Sequence, residues 1–123
     1  DEFVASAEGM PGMEPFLEGL KTVRGEMQEG TMWLMQNGMS DFNNAGASSH
    51  DYLHLVGLTA LAYMWARMAK LALEQKDSGD PFYTAKLATG RYFVERLLPD
   101  AAAHLAKVKT GAAAMMAVSE AQF

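Results

Sequence analysis

From about residue 14 onward, apolar side chains recur every three or four positions, and no segment alternates β-branched and polar residues at a spacing of two. A spacing near 3.6 gathers such residues on one face of a helix, whereas a half-buried strand needs a period of two. The chain is therefore expected to fold without a sheet. The first helical face holds Phe16, Leu20, Val23, Met27, Thr31 and Leu34. Gly19, Gly25 and Gly30 interrupt the same segment, each at a cost of up to about 1 kcal/mol relative to Ala. Packing must then hold this helix together. It is expected to stop near Asn37-Gly38, with Gly38 as a left-handed cap.

Residues 41–49 are small and polar and read as a loop. Ser48-Ser49-His50-Asp51 follows, a hydroxyl with an acid three positions on, which marks a helix start. A second helix over about 50–75 is expected to turn His54, Gly57, Leu58, Leu61, Trp65, Met68 and Ala72 inward. Thr59, Tyr63, Arg67, Lys70 and Glu74 form its wet side. Gly57 on the inner stripe would let a neighbouring backbone approach closely. After a turn over 76–79, Asp80-Pro81 opens a third helix, because Asp caps free N–H groups and Pro suits the first position. Its core face is Tyr83, Leu87, Gly90, Val94 and Leu97. Pro99 breaks the backbone ladder between Leu98 and Asp100. A fourth helix over about 100–109 packs with Ala101, Leu105 and Val108 and ends at Gly111; residues 112–118 could add a short apolar turn. The sum is an all-α antiparallel four-helix bundle with a short C-terminal tail helix. Residues 13–123 form this domain. Residues 1–12, ending in Gly9-Met10-Pro11-Gly12, read as a linker or the end of a preceding helix. The start, Asp1-Glu2-Phe3-Val4, shows no initiator Met and no charged-then-apolar leader, so the expected context is the interior of a longer polypeptide.

Composition removes several function classes. A chain of 123 residues, half of them hydrophobic, is one domain with ample core. A net charge of −5 without a basic run argues against nucleic acid, whose phosphates need clustered Lys and Arg. Without cysteine there is no disulfide, thiolate zinc site or thiol nucleophile, a composition that fits a reducing cytosol. The longest apolar tract, residues 52–73, is broken by His54, Thr59, Arg67 and Lys70, so no membrane span is expected.

Reactive groups are few. His54 falls on the predicted inner stripe and reads as a core or interface histidine with one hydrogen bond, since partners for a proton shuttle or metal are missing. His50 and His104 read as solvated or interface residues. Asp51-x-x-His54 is the sole acid-x-x-His pair, whereas a di-iron bundle needs two Glu-x-x-His motifs on different helices, so no metal site is expected. Gly-x-Ser-x-Gly, Gly-x-Gly-x-x-Gly and Gly-Lys-Ser/Thr loops are all lacking. No catalytic residue can be named. Of ten methionines, Met13, Met27, Met35, Met64 and Met68 fall on or beside core faces and read as packing. Met32 and Trp33 lie off the inner stripe, and an exposed Trp–Met pair marks a contact surface. Arg91 and Arg96 lie more than one turn apart. Arg91 reads as a salt bridge to an acid such as Glu95 or Asp51, with a domain contact or a cofactor phosphate as the alternative.

Two stretches carry a resemblance. Tyr52-Leu53-His54-Leu55-Val56-Gly57 continues to Met64-Trp65-Ala66-Arg67-Met68-Ala69. Phe82-Tyr83-Thr84-Ala85-Lys86-Leu87-Ala88-Thr89-Gly90-Arg91-Tyr92-Phe93 is followed by Leu97-Leu98-Pro99. Over about residues 13–123 the chain resembles the extra C-terminal domain of acyl-CoA dehydrogenases of the methylmercaptopropionyl-CoA dehydrogenase-like branch. The stretch from Thr110-Gly111-Ala112 through Met115-Met116 to the final Phe also resembles the ends of such chains. The resemblance implies a cytoplasmic, homo-oligomeric parent flavoprotein that oxidises acyl-CoA thioesters to enoyl-CoA. A glutamate base would take the α proton, FAD the β hydride, and an electron-transfer flavoprotein the electrons. Base and FAD would belong to upstream catalytic domains of the same polypeptide, with no cofactor in this fragment. Gly57, Trp65, Arg91 and Pro99 match the family pattern and, with Trp33, are carried over as packing and docking positions. The competing expectation is a free-standing helical protein–protein interaction module. A large apolar patch on the first helix or on residues 112–118 would favour docking to an enzyme body; a uniformly polar surface would favour the module.

Overall fold

The computed structural model describes residues 2–123; Asp1 lies outside the described residues. Helix α1 spans Glu2–Ala7, α2 Glu14–Asn37, α3 Phe42–Gln75, α4 Pro81–Tyr92 and α5 Asp100–Val108. A π-helical turn, Phe93–Leu97, joins α4 to α5, and short 3₁₀ turns occupy Lys76–Ser78 and Glu120–Gln122. No strand occurs among the described residues. The four-helix bundle is formed by α2, α3, α4 and α5, and α3 is its axis: α2, α4 and α5 all pack on it. The segment over 1–12 contributes a helix, and Ala7 is fully buried in the common core with Met13 and Phe16.

On α2 the predicted face is the buried one, with Phe16, Leu20 and Val23 in the core and Met27 beside it. The helix ends at Asn37, but Gly38 has φ −77° and is right-handed. A Cβ there would sit 2.7 Å from the Leu34 carbonyl oxygen and 3.5 Å from the Ala45 Cβ. Crowding at the α2–α3 corner, not handedness, accounts for this glycine.

Helix α3 starts eight residues before the predicted position. Asp41 is extended (φ −147°, ψ 108°) and its carboxylate accepts the Asn43 N–H at 2.9 Å, a side-chain cap on the orphan amides. Residues 42–49 are poor helix formers, yet their polar groups are used elsewhere in the fold. Fully buried Ser48 donates its hydroxyl to the Val108 carbonyl at 2.7 Å. Asn44 accepts the Ala112 N–H at 3.0 Å and donates to the Asn37 carbonyl at 3.2 Å. Tertiary pairing overrides local propensity here.

The buried stripe of α3 is also turned by one residue from the predicted one. Leu55, Ala62, Ala66, Ala69 and Ala72 are buried, Leu58, Trp65 and Met68 are half-buried, and His54, Gly57 and Leu61 are exposed. Bulk drew the reading toward Leu61 and Trp65; the centre of the bundle instead takes alanines, which let three helices approach one axis. The outer half of the prediction holds for Tyr63, Arg67 and Glu74, while Thr59 and Lys70 are half-buried.

Asp80 caps α4 by accepting the Phe82 N–H at 2.9 Å, with Pro81 in the first turn. Pro99 ends the segment as expected. The break is prepared one turn earlier, where the Leu98 N–H reaches back five residues to the Phe93 carbonyl at 2.9 Å. This π turn rotates the face, so Phe93 and Leu98 are buried and the predicted Leu97 is exposed. Gly111 (φ 66°) terminates the α5 region in the left-handed conformation, and residues 112–118 continue as turns.

Gly90 is buried where α4 crosses α2 and α3; an added Cβ would lie 2.8 Å from Phe16 Cε1 and 3.0 Å from Trp65 Cε3. Gly25 lies mid-helix with nothing within 4 Å of a Cβ. Gly90→Val is expected to lower unfolding free energy by about 1–3 kcal/mol through overpacking. Gly25→Ala should raise it by roughly 0.5–1 kcal/mol through helix propensity alone. Urea denaturation of the two variants reads both; equal effects at the two positions would contradict this packing.

Candidate docking surfaces

The three histidines, scattered in sequence, meet on the α3–α5 side. The His54 ring is stacked parallel to His104 at 5.1 Å between centroids, and His50 lies 4.5 Å from His54. His104 Nδ1 donates to Asp51 Oδ1 at 2.8 Å, because a carboxylate can only accept. Asp51 is thereby committed to His104. His54 is exposed, contrary to the expected core position, since the core stripe runs through its neighbour Leu55. His54 and His104 stack face to face, while the His50 ring is tilted by 58° against His54. Among the described residues, no group of three or more His, Asp or Glu side chains is placed to hold a metal ion.

Trp33 is half-buried: Gly111 closes over its ring, so that a Cβ there would touch Trp33 Cη2 at 3.2 Å. Trp65 stacks on Phe93 at 6.1 Å, with the Lys86 ammonium 5.1 Å from its ring centroid. The structure therefore places Trp65 in the α3–α4 packing. Gly57 faces outward with open space around it, so among the described residues no neighbouring backbone approaches its Cβ position. Arg91 is exposed and bonds Glu95 one turn on at 2.7 Å, the simpler of its two readings. Pro99 is exposed at the start of α5. These five positions do not converge on one site.

Exposed apolar residues gather where α2, α3 and the tail meet. Met32, Met35 and Met39 at the end of α2 and Phe42 at the start of α3 are exposed, as are Met115, Met116, Val118 and Phe123. The Asn44–Ala112 bond and the Trp33–Gly111 contact bring the two segments together. Of the methionines expected on or beside core faces, Met35 and Met64 are 65% and 49% exposed, whereas Met13 is fully buried and Met27 and Met68 half-buried. The error lies in counting helix flanks as core, since Met suits both.

A separate groove of about 490 Å³ runs between α1, α2 and α3, lined by Phe3, Leu20, Met27, Val56 and Tyr63 with Lys21 and Arg24 at its edge. The Thr59 hydroxyl in its lining is already bonded to the Leu55 carbonyl at 2.8 Å, and Lys21 pairs with Glu8 at 3.1 Å.

The sequence profile of the family described as "Acetyl-CoA dehydrogenase C-terminal like" matches residues 1–119. This chain belongs to that family. It is thus an acyl-CoA dehydrogenase C-terminal-like domain, and the match takes in α1 as well as the bundle. None of the curated proteins compared with it matches. The family implies FAD in a parent enzyme, but the side chains here do not fit a flavin. The groove is mainly aliphatic and aromatic, and its residues lie within helices, with no glycine-rich turn among its lining to receive a pyrophosphate. No chemistry is assigned to a flavin on this domain. Among the described residues no helix is long and apolar enough to cross a membrane.

Sequence reasoning did not single out Glu26. One of its carboxylate oxygens is buried without a hydrogen-bond partner among the described residues. Burial, with Glu29 adding repulsion, pushes its pKa above the ordinary carboxylate value. An acid whose folded pKa is raised binds its proton more tightly folded than unfolded. Its contribution therefore falls as pH rises from the ordinary carboxylate range through the raised value, and the penalty is complete above that raised value. Glu26→Gln should raise the thermal midpoint at pH 7 by on the order of 2 °C. The gain should vanish below about pH 4, where both forms are neutral. A gain equal at the two pH values in calorimetry would contradict this placement.

Proposed function

We propose that this domain is the non-catalytic C-terminal accessory module of a FAD-dependent acyl-CoA dehydrogenase, docked on the upstream catalytic domains of the same polypeptide. The observation that carries the docking is the apolar surface formed by Met32, Met35, Met39, Phe42 and the Met115–Met116 tail around half-buried Trp33. Contiguous exposed apolar surface of this kind marks an interface. Family membership supplies the context. In this reading the parent is a cytoplasmic homo-oligomer that oxidises an acyl-CoA thioester between its α and β carbons and passes electrons to an electron-transfer flavoprotein. Its glutamate base and FAD lie outside this chain. The resemblance of the two stretches around Trp65 and Arg91 supports a parent of the methylmercaptopropionyl-CoA dehydrogenase-like branch. Trp33 is the docking residue. Trp65, Arg91 and Pro99 fix the shape of the α3–α4–α5 region rather than touching substrate.

The purified 123-residue chain is expected to bind no FAD and to turn over no acyl-CoA. In the full-length enzyme, Met32→Asp together with Met116→Asp should free the domain from the body, measured as at least tenfold faster proteolysis of the junction. The isolated domain carrying both changes should keep its thermal midpoint, because both methionines are exposed. A reading frame that opens at Asp1, or flavin turnover by the isolated chain, would overturn the assignment. The first of these outcomes would instead support a free-standing interaction module.

A further inference from the structure

The groove beside α1 continues along the α2–α3 seam. A second hollow of about 550 Å³, lined by Leu34, Ala45, Ser49, Tyr52, Leu53 and Val56, meets the first at Val56. From Tyr63 to Leu53 the seam runs about 15 Å along α3, at 1.5 Å per residue. Each hollow has the size of a small-ligand site, roughly 300–1,000 Å³.

Polarity is unevenly distributed along it. Among the described residues, Lys21 and Arg24 are the charged groups in the two linings, and both are basic in a chain with 15 acids against 10 bases. Lys21 meets Glu8 across open surface, at 51% and 64% exposure, and such a pair is worth little and exchanges readily. The second hollow carries no charge. Its hydroxyls are already engaged: Ser49 donates to the Gly46 carbonyl at 2.9 Å, and Tyr52 meets Thr31 Oγ1 at 2.7 Å. Thr31 spends its own proton on the Met27 carbonyl at 2.8 Å, so Tyr52 is the donor of that pair. Gln28 and Tyr63, the remaining polar side chains, belong to the same hollow as the two bases.

We infer that the seam is a binding site for a single-chain alkyl carboxylate, with its head at Lys21 and Arg24 and its tail running past Val56 toward Leu53. A ligand on this path must be hydrocarbon over most of its length. A polar group laid in the second hollow would lose water and find no free partner, which costs free energy. At the α1 end the charge bias reverses that demand and favours an anion. The inference does not depend on the docking of the Met32–Met116 surface, because none of those methionines lines the seam.

Isothermal titration calorimetry of the 123-residue chain with octanoate, decanoate and dodecanoate tests it. A fully buried methylene strengthens binding about fourfold, and a seam open on one side about twofold. Affinity should therefore rise on the order of tenfold from octanoate to dodecanoate, to a Kd on the order of 100 µM. Lys21→Glu should weaken decanoate about fivefold and leave decanol unchanged. Ala60→Phe, at an exposed position in the lining, should weaken both several-fold with an unchanged thermal midpoint. Phosphatidylglycerol vesicles should not carry the chain with them on flotation, since the ligand is a free carboxylate. Dodecanoate that fails to bind below millimolar concentration, or an affinity indifferent to chain length, overturns the inference. So does an equal loss of decanoate and decanol in Lys21→Glu, an Ala60→Phe chain that binds as before, or flotation with the vesicles.

Discussion

Close approach at the alanine ridge of α3 is the constraint on which the rest of the bundle depends. Ala62, Ala66, Ala69 and Ala72 present almost no side chain, so α2, α4 and α5 can lie against one axis while their own larger residues fill the space between. Each alanine buries little area and contributes little by itself. The gain appears on the partners, where Phe16, Leu17, Leu20, Val23, Phe93 and Leu98 are nearly removed from water at about 25 cal/mol per Å² of apolar surface. Gly90 extends the same logic to α4, where aromatic rings of α2 and α3 occupy the place of its side chain. A larger residue on the ridge would push all three neighbours outward together. Dense interiors transmit such strain.

The far end of the bundle is fastened by polar groups. Ser48 binds the Val108 carbonyl at the last residue of α5, and Asn44 binds the Ala112 amide just past it. A buried hydroxyl–carbonyl bond of this kind contributes about 1 kcal/mol net. These bonds explain why a stretch of Asn, Gly and Ser is helical at all. Read as local chemistry, residues 41–49 favour a loop; only partners some sixty residues away make the helical form the better one.

The same division runs through what could be read from residues alone. Helix count, the Pro99 break, the Asp80-Pro81 start and the core face of α2 were legible, because each rests on a covalent restriction or a clear period. The face of α3 was not, because apolar residues surround it and bulk is a misleading guide where alanine marks the tightest contact. Face assignment then moved His54 to the inside and Met64 onto or beside the core face, and both are exposed. The Arg91–Glu95 pair lay within one helical turn and was foreseeable; the His104–Asp51 bond joins residues 53 apart and carried no signal. Glu26 was equally silent, since nothing in a helical pattern says which glutamate will lose its water.

An apolar periphery around α3 also bears on what kind of part this domain is. A helix whose inner face is small and whose outer face is uncharged over most of its length gains no solubility from that outer face. Many charges of the chain are placed elsewhere, in exposed pairs such as Lys21–Glu8, Arg91–Glu95 and Lys109–Glu29. Exposed pairs of this kind add little stability but keep their surfaces wetted. Two regions are left without them, the outward side of α3 and the methionine-rich end near Trp33. An isolated globule would gain from charge at both, since it lowers the tendency to self-associate at almost no cost in folding energy. The pattern fits a part built to be covered on two sides, with its chemistry supplied by what covers it.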